Sequence, residues 1–211
     1  MDETSLRNAV AQASRSTVAE RLNRGSSGNV SARCDNGFLV TPSGLPSADI
    51  QPDQVVRMAM DGSHAGRLPP SSEWRIHRDI YQARPEVNAV IHVHAPFAVS
   101  LACLRRDIPP FHYMVAVAGG ADIRCAGYAM FGSQALSDRV LEALADRRAC
   151  LMANHGLIAI GRNLTLALAL AVEVESLCEQ FWRASLMGPP VLLSDAEMAE
   201  ALDKFAHYGQ R

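Results

Sequence analysis

The chain has no long apolar run, no surplus of one charge, no paired-cysteine motif, no repeat and no low-complexity tract, and each absence removes a class of function. A membrane-spanning helix needs ~20 consecutive apolar residues. The longest apolar stretch here, Leu164 to Val172, falls well short of that. The opening segment MDETSLRNAV puts charge where a secretory signal carries its apolar run. Both features point to a soluble, cytoplasmic protein. Lys and Arg number 20 against 22 Asp and Glu, a net charge of -2, and they are spread along the chain. That distribution lacks the basic footprint a nucleic acid or an anionic membrane surface would require, so the expected partner is a small molecule. The five cysteines, Cys34, Cys103, Cys125, Cys150 and Cys178, lie far apart with no Cys-x-x-Cys pair. They argue against a disulfide framework or a thiolate zinc site and read as reduced, mostly core residues.

What is present is enough for one sizeable core: 211 residues, 48% hydrophobic and 20% charged, within the range of a single domain. Residues 5 to 23 carry Leu6, Val10, Ala13, Val18 and Leu22 at roughly helical spacing and stop at Gly25, which predicts an opening amphipathic helix. NVSAR, FLVT and VVRMAM, separated by DNG, PSG and a Pro/Asp segment, predict short hairpin strands. EWRIHRDIYQAR then reads as a helix ending before Pro85, AVIHVH as a buried strand, APFAVSLACL as a helix and LMANHGLIAIG as two strands around a turn. The last 50 or so residues are helical by pattern, with LTLALALAVEVESLCEQFWRASLM nearly apolar on two sides and SDAEMAEALDKFAHYGQR opening on a Ser/Asp cap. The expected fold is α/β, an antiparallel or mixed sheet flanked by helices.

In AVIHVHA, His92 and His94 stand two apart in a β-branched run, so the period of two in a strand sends both imidazoles to one face. A His-x-His pair also occurs in ordinary cores and surfaces, so it needs company. His155 follows an apolar strand in an Asn-His-Gly turn, where loops display functional side chains. Three histidines of this kind match a catalytic zinc site, in which three neutral ligands leave one position open. Glu73, in PPSSEWRIH, falls at the first turn of its helix, where Ser71 or Ser72 can cap the backbone. It reads either as a capping-box acid or as a carboxylate beside the ion that moves a proton. His77 packs against Trp74 or the metal shell in this reading, and His64, His112 and His207 receive no metal role.

Glu73 in SSEWRIH, His92 and His94 in HVH, and His155 in ANHG, in this order and spacing, resemble the class II aldolase/adducin family, in particular its bacterial L-fuculose-1-phosphate aldolases. The likeness covers essentially the whole chain. It implies a single-domain α/β/α sandwich with a largely antiparallel or mixed sheet, one Zn2+ per subunit, and a fourfold homotetramer with active sites at subunit junctions. In it His92, His94 and His155 hold the zinc, and Glu73 ligates it when no substrate is bound and otherwise serves as acid/base. SSGNVSAR and TPSG resemble the family's phosphate loops, placing Gly28, Asn29, Ser43, Gly44, Ser71 and Ser72 around a substrate phosphate. Glycines there let backbone N–H groups approach an oxyanion while Ser and Asn add neutral donors. By the same likeness Phe131 is an apolar wall near the aldehyde, and Tyr113 handles the proton on the C4 oxygen. Tyr208, in a tail that reaches a neighbouring subunit, is a further catalytic group.

The implied reaction cleaves a ketose 1-phosphate between C3 and C4 to dihydroxyacetone phosphate and a small aldehyde, with zinc spreading the carbanion charge into an enediolate. Lactaldehyde, a methylthio-aldehyde and glycolaldehyde all suit the pocket. Rivals on the same scaffold are sugar-phosphate dehydratases, epimerases and decarboxylases. Glu73 weighs against the epimerases, which carry aspartate there, and the Tyr208 tail weighs against the other two. A non-catalytic adducin-like binding module shares the fold but has little reason to keep three histidines and a carboxylate.

Overall fold

The computed structural model of the chain describes residues 2–207. Helix α1 (Glu3–Ala19) opens on Asp2, whose side chain accepts from the Ser5 N–H. It ends sooner than the apolar spacing predicts, because Arg21 takes a left-handed φ of 61°. Leu22 and Asn23 then both donate their N–H groups back to the Thr17 carbonyl. This reversal buries Asn23, a residue that matters below.

Strands β1 (Asn29–Cys34), β2 (Gly37–Val40), β3 (Val56–Ala59) and β4 (His64–Ala65) form an antiparallel meander. Helix α2 (Trp74–Ala83) leads into β5 (Ala89–Val93), which pairs with β1, and α3 (Pro96–Ala102) follows. A short β6 (Cys125–Ala126) and helix α4 (Gln134–Ala143) precede the hairpin of β7 (Ala149–Met152) and β8 (Gly156–Gly161). Helices α5 (Leu164–Met187) and α6 (Asp195–His207) complete the described chain. The eight strands make one sheet in the order β4-β3-β2-β1-β5-β8-β7-β6. Among the described residues only the β6–β7 pair is parallel. The expected α/β architecture with a mostly antiparallel sheet is what is found. The sequence pattern named no element between α3 and β7, although Leu136, Val140 and Ala143 of α4 keep helical spacing.

Each face of the sheet buries its own apolar layer. Ala89, Ile91 and Val93 of β5 pack with α1, α3 and α5, whereas Val90 packs with Ile76, Ile80 and Tyr81 of α2 and Leu136 and Val140 of α4. Strand alternation therefore turns His92, like Val90, toward the α2 side. Each fully buried Ile or Leu in these layers contributes about 1.5–3 kcal/mol. The five cysteines are all free. Among the described residues no helix is long and apolar enough to cross a membrane.

Candidate metal centre and substrate cavity

His92 is fully buried, and its Nδ1 lies 3.0 Å from the Leu157 carbonyl of the neighbouring β8. A carbonyl only accepts, so Nδ1 carries a hydrogen and Nε2 is the nitrogen available to a cation. His94 lies just past the end of β5, and its backbone N–H donates to Asn23 Oδ1 at 2.9 Å. Asn23 is itself held by Thr17 Oγ1. His155 occupies the β7–β8 turn, where Asn154 takes a φ of 55° and donates its N–H to the Ala102 carbonyl at 3.1 Å. The Asn154 side-chain oxygen accepts from Arg105 Nε at 2.7 Å. The turn is thus pinned through both the backbone and the side chain of Asn154.

The three rings stand 4.8, 4.9 and 4.9 Å apart between centroids, edge to face. Their ligating nitrogens all lie within 4.8 Å of one another. His92 Nε2 and His94 Nε2 are 3.0 Å apart. Two nitrogens on a tetrahedral zinc stand about 3.3 Å apart, from Zn–N bonds of about 2.0–2.1 Å. Gly156 makes the room: a Cβ there would lie 2.4 Å from the Val93 carbonyl oxygen and 3.1 and 3.2 Å from the His92 and His94 rings.

Glu73 is 6% exposed and sits at the entrance to α2, where the Ser71 hydroxyl accepts its N–H at 3.3 Å. Its own side chain makes no capping bond, so the capping-box reading does not hold. The carboxylate turns instead to the imidazoles. Oε2 accepts from Asn29 Nδ2 at 3.0 Å and lies 3.1 Å from His92 Nε2. Oε1 lies 3.4 Å from His155 Nε2, is buried and makes no hydrogen bond. Burial works to raise this carboxyl, but the charge of His92 and the hydrogen bonds from His92 and Asn29 more than reverse it, so Glu73 stays ionised. Burial and the neighbouring imidazoles push His94 and His155 down to about 4, which leaves them neutral donors of a lone pair. Glu73 in turn raises His92 against its burial, and a cation takes the place of the proton that this pair shares. Three imidazole nitrogens facing a buried carboxylate with an orphaned oxygen fit a divalent cation.

Beside them opens a cavity of about 300 Å³. Gly28, Asn29, Ser43, Gly44, Ser71, Ser72 and Phe131 all line it, together with Glu73, His94 and His155. Gly28 has a φ of 73°, and a Cβ on it would lie 2.5 Å from the His92 carbonyl oxygen. The phosphate-type loop is therefore pressed directly against β5. Sequence reasoning missed Tyr128, Ala129 and Asn154 in the wall and Asn23 behind it, and nothing in their local pattern marks them. Tyr113 does not line the cavity. It lies in a 3-10 turn (Tyr113–Ala118), 54% exposed, and stacks on Phe205 of α6 at 6.3 Å between centroids. Tyr208 lies outside the described residues. His77, expected against Trp74 or the metal shell, hydrogen-bonds Ser31 and Asn29, and Asn29 in turn holds Glu73.

Residues 8–182 match the model of the class II aldolase and adducin N-terminal domain. The chain belongs to this family. Over 204 residues it is 50% identical to a 5-methylthioribulose-1-phosphate/5-deoxyribulose-1-phosphate aldolase of Rhodospirillum rubrum, covering 97% of this chain and 92% of that one. Over 191 residues it is 46% identical to the L-fuculose phosphate aldolase of Escherichia coli, covering 90% and 89%. A solved structure of L-fuculose 1-phosphate aldolase superposes with a TM-score of 0.92 at 36% identity, covering 96% of each chain. Membership makes this class II aldolase homologue an enzyme, a lyase of a metal-dependent class, and its three-histidine group is of the kind that binds a metal.

Proposed function

We propose that the protein is a zinc-dependent, cytoplasmic aldolase that splits a ketose 1-phosphate between C3 and C4 into dihydroxyacetone phosphate and a small aldehyde. The observation that carries this reading is the buried, ionised Glu73 set against three convergent imidazoles, two of which, His94 and His155, line a cavity rimmed by glycine and serine loops. Zinc held by His92, His94 and His155 supplies a Lewis acid that draws off the charge developing beside the substrate carbonyl.

The chain's own groups do the rest. Backbone and hydroxyl donors of Gly28, Ser43, Gly44, Ser71 and Ser72 seat the phosphate, and Asn29 reaches between that seat and Glu73. Breaking C3–C4 leaves the bonding electrons on C3 and a carbonyl at C4. In synthesis ionised Glu73 removes a proton from C3 while Tyr113 gives its phenolic proton to the C4 oxygen. Cleavage starts from the opposite protonation state, Glu73 having taken a proton and Tyr113 having given one up to solvent, so that the C4 hydroxyl proton goes to Tyr113 and Glu73 protonates C3. By resemblance Tyr113 and Tyr208 serve the site of a neighbouring subunit in a homotetramer, a reading supported by Tyr113 stacking on Phe205 of α6 rather than lining the cavity of its own chain. The exposed Trp182, Leu186 and Met187 of α5 are compatible with such an assembly.

The relatives' substrates share a C1 phosphate, and their aldehyde halves end in a methyl or methylthio group. Tyr128, Ala129 and Phe131 offer that end an apolar wall. The relative that is 50% identical favours a 5-deoxy- or 5-methylthio-ketopentose 1-phosphate as substrate. A panel of these and L-fuculose 1-phosphate, assayed for release of dihydroxyacetone phosphate with and without chelator, tests the reading. Chelator-sensitive release is expected, with the highest kcat/KM on a ketopentose. Release from none of them, or release indifferent to chelator, overturns it. Glu73→Gln tests the residue: metal stays, and turnover falls about 10²- to 10⁴-fold together with solvent exchange of the C3 proton of dihydroxyacetone phosphate. Cleavage lost while exchange runs at the wild-type rate would remove Glu73 from C3.

A further inference from the structure

His77 is fully buried, lies outside the cavity wall and outside the imidazole cluster, yet both its ring nitrogens are engaged. Nε2 lies 2.5 Å from Asn29 Oδ1, and Nδ1 lies 2.6 Å from Ser31 Oγ, which is in turn 2.7 Å from the Tyr81 hydroxyl. The elements explain the meeting. Asn29 and Ser31 alternate onto one face of β1, and Glu73, His77 and Tyr81 follow one another at helical intervals of four along α2 and its entrance.

The direction of every hydrogen follows from one end. An ionised carboxylate only accepts. The Asn29 atom 3.0 Å from Glu73 Oε2 is therefore the amide nitrogen, and its oxygen faces His77. That oxygen also only accepts, so His77 Nε2 carries the ring hydrogen. Burial pushes His77 down to about 3, which keeps it neutral and Nδ1 bare. Ser31 then donates its single hydroxyl hydrogen to Nδ1, and Tyr81 donates to Ser31. Four donors in series point at Glu73.

We propose that His77 is a positioning residue for the acid/base: its Nε2–H locks the Asn29 amide in the one orientation that presents Nδ2 to Glu73 Oε2. With the amide reversed, a carbonyl oxygen would face the carboxylate and drive it off its place beside His92. The proposal rests on the reading of Glu73 as the proton carrier at C3. A glutamine at 77 reaches the position of Nε2 with an N–H donor, whereas an asparagine reaches only the position of Nδ1.

The experiment is a cycle of His77→Asn and His77→Gln, each made in the wild-type and in the Glu73→Gln background, on the metal-loaded full chain. His77→Asn lowers kcat and C3 proton exchange together by about 10- to 100-fold, the usual cost of losing a group that orients an active-site residue. Metal stoichiometry and KM for the ketose phosphate stay near wild type. His77→Gln restores most of kcat. In the Glu73→Gln background His77→Asn costs little more, because the residue it positions is already disabled. Equal losses from asparagine and glutamine, or the same loss in both backgrounds, overturn the role of His77 while leaving Glu73 intact. An unimpaired Glu73→Gln instead overturns the reading of Glu73, and this one with it. Should His77→Asn not fold, Ser31→Ala takes its place in the cycle, since it removes the donor that fixes the His77 tautomer.

Discussion

The metal corner and the patch formed by Tyr113 and α6 are built on opposite plans. At the corner every ligating or proton-carrying side chain is fixed from within one chain: His92 by the Leu157 carbonyl, the His94 backbone by Asn23, the His155 turn by Ala102 and Arg105, Glu73 by Asn29. At the patch Tyr113 is more than half exposed and leans on Phe205 of the last helix. The contrast separates two demands on a catalyst. Binding an ion and moving a proton at carbon tolerate errors of a fraction of an ångström, which strand ends and buried hydrogen bonds can hold. Groups that close over a substrate must admit it first, and on the proposed reading they are carried on a surface turn and helix α6.

The strongest way to break this comparison is to remove a ligand. His92→Ala, His94→Ala and His155→Ala should each drop bound metal well below one per chain, measured by elemental analysis after dialysis, with turnover lost alongside. Removing one of three ligands sharply weakens a three-ligand site. Full occupancy in any one of them would take that residue out of the ligand set. The patch predicts the opposite pattern. Deleting residues from Phe205 onward should leave a folded, metal-loaded protein whose turnover falls about 10²-fold, the lower end of what a positioned acid or base contributes. Wild-type kinetics after the deletion would free the tail, Tyr208 included, from catalysis.

The same division decides what could be read in the sequence. The α/β class and the strands carrying the site were legible because β-branched runs and turn residues are local signals. The shared face of His92 and His94 follows from the period of a strand, even though His94 lies one residue beyond β5. The phosphate-type loops and Phe131 were marked by resemblance, since GSSGN and TPSG are by themselves ordinary turns. What stayed hidden depends on pairing between distant segments. Asn29 faces His92 only because β1 pairs with β5 in one particular register. His77 meets Asn29 and Ser31 only because α2 lies across that strand pair. Asn23 reaches His94 because Arg21 reverses the chain after α1, and no local pattern announces that reversal. Tyr113 was marked by resemblance alone, and within one chain it does not line the cavity.

The smallest expected effect sharpens the comparison on the side of the rigid corner. Asp79 on α2 ties this helix to α4: its carboxylate accepts from Ser137 Oγ at 2.7 Å, Gln134 Nε2 at 2.6 Å and Arg78 Nε at 2.7 Å. Burial works to raise the Asp79 carboxyl, but these hydrogen bonds and the Arg78 charge hold it below the ordinary carboxylate range. A carboxyl depressed in the folded state stabilises the protein fully above the unfolded value of about 3.9, and that contribution is lost as pH falls below it toward the folded value. Asp79→Asn keeps the shape but removes the charge, and should cost about 2 kcal/mol at pH 7, in line with the worth of hydrogen bonds to a charged group. Urea unfolding of the metal-free protein, which takes proton competition at the metal out of play, should show a constant gap between wild type and variant above about pH 5 and a closing gap below about pH 4. If the gap stays open and unchanged down to pH 3, the tie between α2 and α4 owes nothing to the charge on Asp79, and shape alone holds the helix that carries Glu73 and His77.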